Sequence, residues 1–179
     1  MEVIEINVSE LPEISRTLTA GQRVLLTGTV YTARDAAHKK LIALIDANSE
    51  LPFDISGAVI YYAGPTPSKP GFAVGSCGPT TSARMDKFAP ELFARGLAAT
   101  IGKGEIGSEV ADAIRRSGAV YLCAVGGAGA LIARHITSAE EIAFTELGCE
   151  SVKRLTVDKL PLFVGLDANG GNIFCNYKL

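Results

Sequence analysis

Residues 119–125, Ala-Val-Tyr-Leu-Cys-Ala-Val, form an uninterrupted apolar run between Gly118 and Gly126. A strand that is apolar on both faces must be covered on both faces, so this run predicts a strand in the middle of a parallel sheet. The sequence around it supplies the covering helices. Upstream, β-branched or alternating stretches at 2–8, 23–32, 58–62 and 97–101 read as strands. Between them, periodic segments read as helices: from an N-cap at Ser9 to Thr19, from a cap at Asp35 to Asn48, over 90–95, and over 108–116 up to Gly118. His38, Leu41, Ile42 and Ile45 fall on the inner side of the second of these.

Downstream, Gly126-Gly127-Ala128-Gly129 opens a predicted helix through His135, and Thr137 with Glu140 matches a capping box for another, ending at Gly148. The remaining stretches, 152–157, 162–166 and 172–175, read as strands, with Asp167-Ala168-Asn169-Gly170-Gly171 as a hairpin turn. Alternation in the middle with strand-rich ends predicts an α/β fold with a mixed sheet. At 179 residues, 47% of them apolar and 20% charged, the chain fits a single domain over 1–179 with a sizeable core.

The formal net charge of −2 and the lack of a Lys/Arg-rich run argue against nucleic acid and anionic membranes as partners. The N-terminal Met1-Glu2-Val3-Ile4-Glu5-Ile6 alternates charge with apolar residues, unlike a secretory leader, and no apolar run reaches bilayer length. A cytoplasmic protein is the expectation. The four cysteines, Cys77, Cys123, Cys149 and Cys175, show no CxxC spacing and no neighbouring histidine, so free thiols are expected and no metal site within this chain.

Chemistry concentrates in Gly78-Pro79-Thr80-Thr81-Ser82-Ala83-Arg84-Met85-Asp86. Pro79 after Gly78 makes a stiff entry, and Thr80, Thr81 or Ser82 can cap a helical turn whose free N–H groups favour an anion. One such turn sets Thr80 and Arg84 on the same face, and a guanidinium there offers a carboxylate two parallel hydrogen bonds. An ordinary capped helix with a surface arginine fits the same spacing. Arg34 and Lys103 also follow predicted strands, and strand ends of open α/β sheets share one ligand-binding rim. Two arginines and a lysine there suit a small dicarboxylate or phosphate. Pairing of Arg34 with Asp35 or another acid, and a solvated Lys103 between Gly102 and Gly104, are the plainer alternatives. His38 reads as a hydrogen-bonded structural histidine, and the glycines at 126–129 as packing residues.

Four segments together resemble one family: the 78–86 motif, Ala33-Arg34-Asp35 with His38, Gly102-Lys103-Gly104, and Ala124-Val125-Gly126-Gly127-Ala128. They look like the β subunit, or C-terminal region, of iron–sulfur hydro-lyases of the class I fumarase and L-tartrate dehydratase type, from about Gly21 onward. The resemblance implies a swivelling β/β/α-type domain. It implies an active site shared with a cluster-bearing α subunit that holds a [4Fe–4S] cluster. It assigns Arg34, Arg84 and Lys103 to the substrate carboxylates, and Thr80 with Lys103 to catalysis. Reversible hydration of fumarate is the first expectation and tartrate dehydration the second, with no activity from this chain alone. A hetero-oligomer is expected, or a homodimer of the isolated chain. A non-catalytic carboxylate- or phosphate-binding module is the competing expectation.

Overall fold

The computed structural model describes residues 3–175. In chain order it contains β1 (Val3–Asn7), α1 (Leu11–Ile14), β2 (Arg23–Thr32), α2 (Asp35–Asp46), β3 (Val59–Tyr61) and α3 (Ala89–Ala94). Then follow β4 (Ala99–Gly102), α4 (Ser108–Ser117), β5 (Val120–Cys123), α5 (Gly129–Ala133), β6 (Ile136–Ala143) and β7 (Val152–Leu166). The sheet runs β1-β2-β3-β4-β5-β7-β6, and a further pairing of β2 with β7 closes β2, β3, β4, β5 and β7 into a ring. The first five strands are mutually parallel, whereas β7 is antiparallel to β2, β5 and β6. The sheet is therefore mixed, as the sequence predicts.

Period-two alternation assigns the two faces. Val24, Leu26, Val59, Tyr61, Ala99, Ile101, Val120, Leu122, Leu160, Leu162 and Val164 fill the ring. The intervening Ile60, Tyr62 and Tyr121 point outward beneath α2, α3 and α4, against Leu41, Leu92 and Ile114. The apolar run is thus covered on both faces from Ala119 to Leu122, whereas Val125 is exposed beyond the strand end, and the neighbours of β5 are one parallel and one antiparallel strand.

β7 closes the ring because it is one 15-residue strand, where the sequence predicts two. The pairing shifts between Leu26 and Gly28. Lys159 (φ 48°) and Gly28 (φ 128°) take left-handed conformations there, and the bulge bends the strand without ending it. A Cβ on Gly28 would lie 3.0 Å from Val8 Cβ, so glycine meets both demands.

Three other expectations need correcting. The segment from Thr137 with Glu140 is strand β6, not a helix, because β7 offers a sheet edge and cross-strand partners. Ser138 donates to Thr156 Oγ1 at 2.8 Å, and Arg154 Nη2 to Glu140 at 2.8 Å. A 3₁₀ segment, Thr145–Glu150, follows it. The 172–175 stretch is a turn joined to Leu166 by one bridge at Asn172. Near the N-terminus Asn7, not Ser9, is the cap: its side chain accepts from the Ser9 amide while Glu10 accepts from the Asn7 amide. The helix predicted to Thr19 is broken into short turns that bury Leu11 and Leu18. Among the described residues no helix is long and apolar enough to cross a membrane.

Candidate functional site

The register pairs Thr32 with Tyr61, Tyr61 with Ile101, and Gly102 with Cys123. The C-terminal ends of β2, β3, β4 and β5 are therefore level, and the segments that leave them share one rim. Arg34 leaves β2, Gly64 lies beyond β3, Lys103 follows β4, and Gly126 lies beyond β5.

The Gly78–Asp86 segment is inserted between the ends of β3 and β4. The Thr80 amide donates to Tyr62 O at 2.7 Å, the Lys103 amide to Thr80 O at 3.3 Å, and the Ser82 amide to Lys103 O at 2.9 Å. Thr80 thus belongs to this extended bridge. The helical turn begins later, at Ser82–Met85, with Thr81 as its cap residue and no side-chain capping bond. The expectation that Thr80 and Arg84 share a helical face is corrected accordingly. β-type pairing places Thr80 beside Lys103, while Arg84 is carried by the turn that follows.

Arg84 reaches the start of α2, where Nε donates to Asp35 Oδ1 at 3.0 Å and Nη2 lies 2.9 Å from Oδ2. This pair sets Arg84 beside the residue next to Arg34. Asp35 does not cap α2. Arg34 is the cap residue, with extended backbone, and the Ala36 amide is satisfied by Glu150 Oε2 at 3.3 Å. The other oxygen of Glu150 lies 3.3 Å from Arg34 Nη2. Arg34 Nε is buried with no hydrogen-bond partner among the described residues. The guanidinium passes over Gly64, where a Cβ would come within 3.2 Å of Nη1 and 3.0 Å of Cys149 O.

His38 is fully buried, with Nδ1 2.9 Å from Arg34 O. Burial pushes its pKa down to about 4, so the ring is neutral and Nδ1–H donates to that carbonyl. Packed on Tyr62 and Phe88, His38 supports the backbone that carries Arg34. Lys103 is half-buried, and its stem runs over Gly126, where a Cβ would be 3.5 Å from Cδ and 4.0 Å from Nζ. Gly129 packs against Gly78, so this glycine cluster is used for close approach.

The carboxylates that touch these segments are engaged: Asp35 by Arg84, Glu150 by Arg34, and Asp86 by the Gly107 amide at 2.8 Å. Burial raises the Asp86 pKa and that amide bond opposes the shift. Among the described residues no three His, Cys, Asp or Glu side chains gather as a metal-ligand group. Cys77 is buried, and burial pushes its thiol up to about 12. These residues do not fit an iron–sulfur cluster. Sequence reasoning missed Glu150 and Gly64, since neither stands in a recognisable motif, and it read Asp35 as a cap rather than as the partner of Arg84.

A closed five-strand ring that carries two guanidiniums, an amine and a threonine at the ends of its parallel strands defines an α/β domain with a cationic strand-end rim. The chain belongs to the family described as fumarase C-terminus, which matches residues 1–177. It is 40% identical over 154 residues to an anaerobic class I fumarate hydratase of Escherichia coli; this covers 85% of this chain but only 28% of that protein. It is 39% identical to a putative L(+)-tartrate dehydratase subunit beta of Methanocaldococcus jannaschii, covering 88% of this chain and 84% of the relative. To the L(+)-tartrate dehydratase subunit beta of Escherichia coli it is 34% identical, with 90% and 81% covered. The chain therefore spans about a quarter of the fumarate hydratase and most of the beta subunits.

Proposed function

We propose that this chain is the β part of an iron–sulfur hydro-lyase that reversibly hydrates a small dicarboxylate, fumarate/malate first and tartrate second. In this reading the active site is completed by an α subunit that carries the [4Fe–4S] cluster, and the β/β/α unit swivels against that partner. The observation that supports it most is the gathering of Arg34, Thr80, Arg84 and Lys103 on one strand-end rim, together with kinship to both enzyme types.

Arg34 and Arg84 bind the substrate carboxylates. Asp35 occupies the Nε/Nη2 edge of Arg84, so the carboxylate meets the Nη1 end. Removing a C–H proton beside a carboxylate drives negative charge onto that carboxylate, and the Lys103 ammonium stabilises it. Thr80 Oγ1 handles the proton. An alcohol is a weak base near neutral pH, so an acidic group of the partner activates it. The cytoplasm supplies both halves, and the working form is a hetero-oligomer.

Anaerobic co-expression with a cysteine-bearing α chain, followed by assays on a panel of dicarboxylates, tests this. Turnover of fumarate or tartrate that requires both chains is expected. An assembly with an intact cluster that turns over no dicarboxylate, while this chain alone binds carboxylate or phosphate, would establish the non-catalytic binding module instead.

A further inference from the structure

Thr80 and Lys103 stand on separate segments, and their spacing depends on more than the two backbone bonds between them. Tyr121 extends outward from β5 and is fully buried. Its O–H donates to Gly104 O at 2.8 Å, and the Ser82 hydroxyl lies 2.8 Å from the same phenol oxygen. A phenol has one proton. With that proton on Gly104 O, the Ser82 hydroxyl donates to Tyr121. The chain of bonds Ser82–Tyr121–Gly104 thus joins the 78–86 segment, β5 and the loop after β4. Gly102 leaves room for it: a Cβ there would overlap Ser82 Oγ and reach 3.0 Å from the Tyr62 ring. Burial raises the Tyr121 pKa far above the ordinary tyrosine range, so the phenol keeps the proton that makes the bond.

We propose that Ser82 and Tyr121 are positioning residues that fix the separation of the Thr80 hydroxyl and the Lys103 amine, an inference that rests on the hydro-lyase reading of this rim. They act through the residues flanking the reactive pair. Ser82 follows the Thr80 segment by two positions, and Gly104 directly follows Lys103, so breaking either hydroxyl bond frees one side of the pair. Both hydroxyls are buried, and the group left behind by a deletion loses its partner, which favours local rearrangement over a silent loss.

The test uses Ser82→Ala, Tyr121→Phe and the double variant, with Ser15→Ala as a control. Ser15 is a buried hydroxyl that donates to Gly118 O at the opposite end of β5. Amide hydrogen exchange is read in the full chain, and kcat/KM in the assembly with its partner. Faster exchange at Ser82 and Lys103, whose amides donate to Lys103 O and Thr80 O, by about tenfold, is expected in the two single variants, with β4 and β5 unchanged. A fall in kcat/KM of about 10- to 100-fold is expected, since a misplacement near 1 Å costs about that much. The double variant should be no worse than the poorer single one, because one chain of bonds is broken once. Unaltered exchange at Ser82 and Lys103 in Tyr121→Phe overturns the inference. So does a loss of kcat/KM no greater than that of Ser15→Ala. Absence of turnover in the wild-type assembly refutes the hydro-lyase reading instead, and the exchange measurement still decides whether the tether exists.

Discussion

Arg84 turns the Nε/Nη2 edge of its guanidinium to Asp35, with Nε 3.0 Å from Oδ1 and Nη2 2.9 Å from Oδ2. The carboxylate orients the arginine rather than competing for all of it, because the Nη1 end faces away. The pair is half-exposed, so its contribution to stability is at most about 1 kcal/mol. Arg84→Lys keeps the charge but loses both the planar fork held by Asp35 and the end-on contact proposed with the substrate carboxylate. Turnover of the assembled enzyme should fall roughly 30- to 1,000-fold, equivalent to about 2–4 kcal/mol at the transition state. Thermal melting and assembly should be unchanged. Near-wild-type turnover with an intact cluster would make Arg84 a surface residue.

Gly64→Ala tests the placement of Arg34. The added methyl would sit 3.0 Å from Cys149 O and 3.2 Å from Arg34 Nη1, so the loop and the guanidinium must move apart. A stability loss of about 1–3 kcal/mol is expected from overpacking, together with a raised KM for dicarboxylate. Denaturation and steady-state kinetics that both match wild type would show that Arg34 does not pass over Gly64.

The helices and strands that position the rim were legible where period and punctuation agreed. The predicted strand over 23–32 coincides with β2, and the helix ended by Gly118 closes where that residue adopts φ 74°. Closure of the ring was not legible. It depends on a bulge at Lys159 and Gly28, residues 131 positions apart whose pairing no local pattern reports. The Thr137/Glu140 pattern misled because a Thr-x-x-Glu spacing serves a helix cap and a strand edge alike, and only the adjacent β7 decides between them. The placement of Arg34, Thr80, Arg84 and Lys103 at the strand ends was legible from short motifs, whereas their neighbours Glu150 and Tyr121 come from distant segments with ordinary local sequence.

The proposed division of labour with a cluster-bearing partner predicts the metal content of the isolated chain. Cys77 lies in the barrel interior, Cys123 at the end of β5, and Cys149 and Cys175 at the surface. Four thiols spread in this way do not offer the set of cysteine ligands that an iron–sulfur cluster needs. The chain purified alone under anaerobic conditions should be colourless, with iron well below one atom per chain by elemental analysis. Tight stoichiometric iron, lost on replacing these cysteines, would overturn that division.

His38 makes the stability of the rim depend on pH. Its pKa falls from 6.5 to about 4 because burial disfavours the imidazolium more than the bond to Arg34 O and the nearby Asp35 favour it. The unfolded chain therefore binds a proton between these two values while the folded chain does not. Folding stability contributed by this residue is fully present above about pH 6.5, declines as pH falls, and levels off below about pH 4. With those two pKa values the loss between pH 7.5 and pH 5 comes to about 2 kcal/mol. Carboxylates elsewhere add their own slope, so the measurement is a difference. His38→Gln keeps a neutral donor near Arg34 O and removes the titration, and its urea midpoint should fall less on going from pH 7.5 to pH 5 than that of the wild type. The variant is expected to be less stable at pH 7.5, having lost the ring that packs on Tyr62 and Phe88. Parallel declines for the two proteins would mean that the His38 pKa is not depressed by folding, and the ring would then be charged or solvated where the packing requires it to be neutral.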